Sequence, residues 1–166
     1  MVEEHVTSDM VSEDQNLVAP CGINCGICTS YLAHSRDIPL QKGVSHCTGC
    51  RIRNKNCAFI KKNCEFKVGK EIAYCHECPT FPCERLKAID DRYRRDYNTS
   101  LIENLTFIKE HGVDVFTKKQ REQYKCAKCG GMICVHNGFC YDCGKAELDA
   151  YVKAKKSTVR KLKNRK

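Results

Sequence analysis

Apolar positions are spread unevenly along the 166 residues. Residues 1–16 hold few of them, with five acidic and no basic side chains, which predicts a disordered acidic leader. From Gly26 to Arg36, the placement of Ile27, Tyr31 and Leu32 predicts a short helix with one inward face. A second short helical segment is expected from Asn56 to Lys70, broken at Gly69. Pro82 suits a first helical turn, and Leu86, Ile89 and Tyr93 follow at i, i+3 and i+7, so a helix is expected over 82–96.

The stretch "NTSLIENLTFIKEHG" carries the clearest pattern. Asn98, Thr99 or Ser100 can cap it, and Glu103 three residues after Ser100 completes a capping box. Leu101, Leu105 and Ile108 form one stripe, and Gly112 gives the stop. "VDVFTKKQREQY" predicts a second helix, starting near Asp114 or Thr117. Both stripes read as core packing. Further on, "MICV" reads as a strand, "HNG" as a tight turn and "FCYDC" as the returning strand. Leu148, Val152 and Val159 fall at a loose helical spacing. The expected organisation is an acidic leader (1–16), a cysteine-rich multi-metal region (17–97), a helical hairpin (98–124), a zinc-ribbon-like knuckle (125–147) and a basic, partly helical tail (148–166).

Composition changes how this core is understood. Hydrophobic residues are 42% of the chain, but 15 of them are cysteine and none is tryptophan. A small chain so short of apolar surface needs cross-links, either metals or disulfides. The first twenty residues are acidic and have neither the basic segment nor the apolar run of a signal peptide, and no stretch is apolar enough to span a membrane. A cytoplasmic protein is therefore expected, where thiols stay reduced and paired cysteines bind metal. Spacing agrees. Five C-x2-C pairs occur, at 25/28, 47/50, 75/78, 126/129 and 140/143, and two thiolates three positions apart can reach one ion as the backbone turns.

The net charge of +9 is also uneven. Residues 153–166 contribute +8 and residues 1–16 contribute −5, which leaves +6 for the body. A four-cysteine zinc site adds two negative charges, so three of them would bring the body to about zero. Basic character then belongs to the tail.

Cys126-x2-Cys129, ten residues, then Cys140-x2-Cys143 is the most specific motif. Gly130 and Gly144 follow the two knuckles, where backbone amides turn toward sulfur. Four thiolates close a tetrahedral site, which suits zinc, although iron fits the same geometry. Cys134, inside the expected strand, reads as a small buried apolar residue. The other ten cysteines exceed two tetrahedral sites by two. The economical pairing joins Cys47 and Cys50 to Cys75 and Cys78; a second site would take Cys25 and Cys28 with two of Cys21, Cys57, Cys64 and Cys83. His46 and His76 beside them read as bystanders.

"PCGINCGICTSYL", "CTGCR", "CHECPTFPCERL", "HGVDVFTKKQREQYKCAKCGG" and the closing "CYDCG", in that order between Leu17 and Gly144, resemble the prokaryotic family known as domain of unknown function 3795. The resemblance implies a small cysteine-rich, metal-binding protein and carries no reaction with it.

Three chemistries compete with a purely structural role. Cys21, Cys25 and Cys28 at C-x3-C-x2-C match a radical-enzyme signature, but the chain lacks the length and repeated strand–helix units that such barrels need. An iron–sulfur cluster on the N-terminal cysteines is the stronger rival, although no C-x2-C-x2-C run is present. Cys83, just after Pro82 and near Arg85, can be a reactive thiol at a helix start or simply a metal ligand. The basic tail can meet nucleic acid through phosphate contacts, or a protein partner. The expected fold is thus a small metal-stabilised α+β protein: short helices and loops around cysteine-rich sites, with a C-terminal zinc-ribbon-like β-hairpin. Its expected role is a zinc-binding scaffold or binding module with two to three structural zinc ions, its enzymatic status left open. The alternative is an iron–sulfur or thiol-based redox protein.

Overall fold

The computed structural model describes residues 15–40, 44–53 and 60–163, with the backbone alone for 155–163. Among the described residues, six α-helices are bounded: α1 (Thr29–Ser35), α2 (Cys50–Arg53), α3 (Glu84–Tyr97), α4 (Leu101–His111), α5 (Val113–Gln123) and α6 (Lys145–Lys163). Single 3-10 turns lie at Cys25–Ile27, Lys61–Asn63 and Cys75–Glu77. The chain divides into two interleaved units. The first contains residues up to Gly26 together with Gly49–Gln120, and the second Ile27–Thr48 with Arg121–Lys166.

The first unit is built on the packing of α3 against α4. Leu86 and Ile89 from α3 meet Leu101 and Leu105 from α4, joined by Ala19, Ile60, Val68, Cys21, Cys25 and Cys75. The N-cap half of the expected capping box is present: Ser100 Oγ accepts from Glu103 N at 3.0 Å, while the Glu103 carboxylate pairs with Arg94 at 3.0 Å. Asp90, buried on α3, completes the cap. Its carboxylate accepts from Ser100 Oγ (2.8 Å), Ile102 N (2.9 Å) and Arg94 Nε (2.7 Å). A negative charge at the N-terminus of α4 also suits the helix dipole. Asn98, in the left-handed conformation, ends α3, and Gly112 ends α4. Phe116 of α5 packs with Val18 and Ile108 in a satellite core.

Gly22 sits in the loop that lies on α4. Its φ is +87°, and a Cβ there would stand 2.8 Å from Leu101 O and 2.9 Å from the Leu105 side chain. Only glycine lets this loop come so close. Asn104 fixes it by donating to Gly22 O at 3.0 Å.

In the second unit, Leu32 and Ala33 of α1 pack with Ile38, Cys134, Tyr141, Leu148 and Val152. The expected helix over 26–36 therefore begins later, at Thr29. Before it, Gly26 N bonds to Asn24 Oδ1 and Cys28 is extended. The helix expected over 56–70 falls partly outside the described residues, which begin again at 60. From there only the Lys61–Asn63 turn forms, and positive φ at Lys67 and Gly69 prevents continuation.

The expected α+β class is corrected: the fold is mostly helical, and no strand or sheet forms among the described residues. The C-terminal zinc-ribbon β-hairpin is absent. Isolated bridges occur at Lys125–Met132 and Ile133–Cys140. A ladder needs successive pairs between the same two segments, whereas here only the Cys134 amide of "ICV" reaches the expected returning segment. Ile133 N donates to Tyr124 O, Cys134 N to Phe139 O and Val135 N to Ile27 O.

Candidate metal centre

The turns that replace the hairpin bring four thiols together. Each knuckle closes with a glycine amide: Gly130 N donates to Cys126 O at 2.8 Å, and Gly144 N to Cys140 O at 2.9 Å. Gly130 has φ +76°, a conformation that glycine adopts without strain. Gly131 N then points at Cys129 Sγ (3.4 Å). The result is a compact array. Cys126 and Cys143 sulfurs are 3.7 Å apart, Cys129 and Cys140 are 3.6 Å apart, and all four lie within 4.8 Å of one another. A tetrahedral ion with metal–sulfur bonds of about 2.3 Å places its sulfurs about 3.8 Å apart. The residues fit one metal ion.

The electrostatics agree with that fit. Backbone amides of Cys129 and Lys128 directed at Cys126 bring its thiol down to about 7. The thiols of Cys129, Cys126 and Cys140 together push Cys143 up to about 12. Without a cation, four crowded sulfurs cannot all lose their protons; a bound dication replaces those protons.

Side chains that sequence reasoning passed over hold the second knuckle. Asp142, between Cys140 and Cys143, accepts from Met132 N (3.2 Å) and is gripped by Arg36 through Nε (2.9 Å) and a second guanidinium nitrogen (3.3 Å). The Arg36 hydrogen bonds hold its carboxyl below the usual range. Tyr141 is buried, and its hydroxyl meets Thr29 Oγ1 at 2.7 Å and Asn137 Nδ2 at 3.1 Å. The available signal was their position: both fill the x positions of the "CYDC" knuckle, where a side chain must face either the core or the partner knuckle. Cys134 is buried as expected, and burial pushes its thiol up.

The first unit holds a second gathering of thiols. Cys75, at the start of a 3-10 turn, is buried, and its thiol is pushed up by burial and then by the nearby Cys21, Cys64, Cys83 and Cys78. Cys83 is the N-cap of α3. A cavity of about 270 Å³ is lined by Cys64, Cys75, Cys78 and Cys83.

Residues 17–88 match the family described as protein of unknown function (DUF3795). The DUF3795 match covers the ten cysteines from Cys21 to Cys83 and ends before Cys126, so the C-terminal metal centre and the remainder of the resemblance to Gly144 lie outside it. No curated protein and no solved structure matches the chain significantly.

Within the DUF3795 match, Cys25 and Cys50 also meet. Cys50 N donates to Cys25 Sγ at 3.3 Å. Hydrogen bonding with Cys25 brings the Cys50 thiol down to about 6 against the effect of burial, aided by Lys61, Arg53 and Arg51. Arg51 was missed by sequence reasoning. It donates to Val18 O (2.7 Å) and Ala73 O (2.8 Å) and lies over the Tyr74 ring, which stacks on His76. It thus ties α2 to the Cys75 turn. Cys28 and Cys47 belong to the second unit, where Cys47 N donates to Ser30 O at 3.1 Å. Cys57 lies outside the described residues. No helix among the described residues is long and apolar enough to cross a membrane.

Proposed function

We propose that the protein is a zinc-binding module in which Cys126, Cys129, Cys140 and Cys143 hold one structural zinc ion and shape a surface for a partner. The observation that carries this reading is the pair of sulfur separations, 3.7 and 3.6 Å, which suit a tetrahedral dication without rearrangement. All four coordination positions are filled by the chain, so the ion has no open position for substrate and its role is structural rather than catalytic. Zinc fits a redox-inert closed site better than iron does. The core around Cys134, Tyr141, Leu148 and Val152 is small, and a metal cross-link supplies what so few apolar side chains cannot.

The partner is nucleic acid. Helix α6 runs from the metal centre to Lys163, and residues 153–166 carry eight positive charges and no negative ones. Such a segment makes sequence-independent phosphate contacts that weaken steeply with salt. The test is zinc content together with binding to a duplex of random sequence across a salt series. About one tightly held zinc per chain that is lost in Cys129→Ser is expected. So is a salt slope that falls when residues 153–166 are removed. Zinc content unchanged by Cys129→Ser ends the metal assignment, and a slope unchanged by truncation ends the nucleic-acid assignment.

A further inference from the structure

We propose that Cys64, Cys75, Cys78 and Cys83 hold a cubane iron–sulfur cluster in the cavity they line. This goes beyond the zinc reading and does not depend on it, because the cavity lies wholly in the first unit.

The spacing of the sulfurs separates the two sites. Among the described residues, only the sulfurs of Cys126, Cys129, Cys140 and Cys143 form a set within 4.8 Å of one another. The thiols around the first-unit cavity are therefore spread more widely than the ligands of one tetrahedral ion, whose sulfurs sit about 3.8 Å apart. What they line is space. The cavity whose wall they share measures about 270 Å³, far more than a single ion fills. A cluster of four irons and four sulfides bonded to four cysteines fills such a space.

The surroundings suit a cluster as well. Ile60, Val68, Phe81 and Leu86 line one side of the cavity and give a cluster an apolar wall, while its polar rim is open to solvent. A cluster with four thiolates carries net negative charge, and positive side chains are at hand. Arg85 lines the cavity along with Glu65 and Glu84, and Lys61, Lys62, Lys67 and Lys70 surround a hollow of about 180 Å³ that shares Cys64 and Val68 with it, so cations outnumber carboxylates around the thiols. The Thr80 hydroxyl lies 3.1 Å from Cys78 Sγ, a hydrogen bond of the kind that tunes cluster potential. Cys21, close to Cys75, does not line the cavity and is not assigned as a ligand.

The full chain, produced in iron-supplemented cells and purified without air, is assayed for iron, acid-labile sulfide, zinc and visible absorption. The expected result is about four irons and four sulfides per chain, with a broad band near about 400 nm. Cys75→Ser and, separately, the half-buried Cys78→Ser should each lose at least half of the iron and sulfide while keeping the single zinc. Cys129→Ser should do the reverse. Retained helical circular dichroism and an unchanged denaturant midpoint show that the first unit of a variant has folded. Iron without sulfide, zinc in place of iron on the same cysteines, no cluster even after reconstitution with iron and sulfide under a thiol, or a cluster indifferent to both substitutions would each overturn the proposal.

Discussion

The two thiol gatherings use one residue type in one kind of knuckle, yet they are built on different foundations. In the second unit, Cys126, Cys129, Cys140 and Cys143 stand on turns with little regular structure beneath them, and the sulfurs close to 3.6 and 3.7 Å. In the first unit, Cys64, Cys75, Cys78 and Cys83 surround a cavity beside a helix pair that already has its own core. The same C-x2-C spacing therefore serves two ends. Where the core is small, the thiols close to the spacing of one ion; where helices pack by themselves, the thiols stand apart around a space. The difference teaches that ligand spacing along a chain does not set ligand spacing in space.

The comparison is broken or sharpened most strongly by removing metal. Cys140→Ser should release zinc, whose contribution in small zinc-folded peptides is on the order of 10 kcal/mol. Loss of near-ultraviolet signal from Tyr141 and Tyr151, with most helical signal kept, is the expected outcome. If all helical signal collapses together, the first unit does not stand on its own core.

Next in size is Leu105→Ala, where a side chain with no exposure joins α4 to α3. A cost of about 2–5 kcal/mol is expected, read as a lower denaturant midpoint with zinc content unchanged. A shift under about 1 kcal/mol would mean that thiol chemistry, not helix packing, holds this unit.

Asp90→Asn should cost about 1–3 kcal/mol and change the acid profile. Burial pushes the Asp90 carboxyl up, but Ile102 N, Arg94 and Ser100 outweigh it and leave the group below its ordinary 3.8. The folded form thus favours the carboxylate. Its contribution is fully present above the unfolded value and is lost as pH falls through the lower folded one. Unfolding curves between neutral pH and about pH 2 should converge for the two proteins at the acid end. Parallel curves would remove the charge from the account of the α4 cap.

The smallest expected effect belongs to Arg36→Ala. Its forked contact with Asp142 is partly exposed, so about 0.2–1 kcal/mol is expected, shrinking as salt is added. Zinc affinity should weaken with it because Asp142 also holds Met132 N. Unchanged affinity would show that the knuckle keeps its shape without that contact.

Local rules were legible wherever neighbours in sequence are neighbours in space. Helix α4 follows from its stripe and from Ser100 with Glu103; α3 and α5 follow almost as directly. The four clustered thiols near the C-terminus follow from two C-x2-C-G knuckles. The hairpin between them did not form because "MICV" carries strand-like side chains, while its amides bond to three separate segments. Propensity reports what a side chain prefers on a pleated surface, and it cannot say whether a second strand will be there. Asp90, Arg51 and Asp142 were likewise silent, since a charged residue in a sequence looks the same whether it caps a distant helix or faces water.

Sequence by itself determined that this protein has more thiol than its core can explain, that helices cover most of 84–97, 101–111 and 113–123, and which four cysteines make the tightest set. Each of these depends on contacts within a few residues. The tertiary structure decided how the remaining cysteines are shared out. It put Cys25 and Cys50 in one unit with Cys28 and Cys47 in the other, and it gathered Cys64, Cys75, Cys78 and Cys83 around one cavity. That partition depends on how α3, α4 and the loops pack, a long-range matter on which a spacing of two residues carries no information.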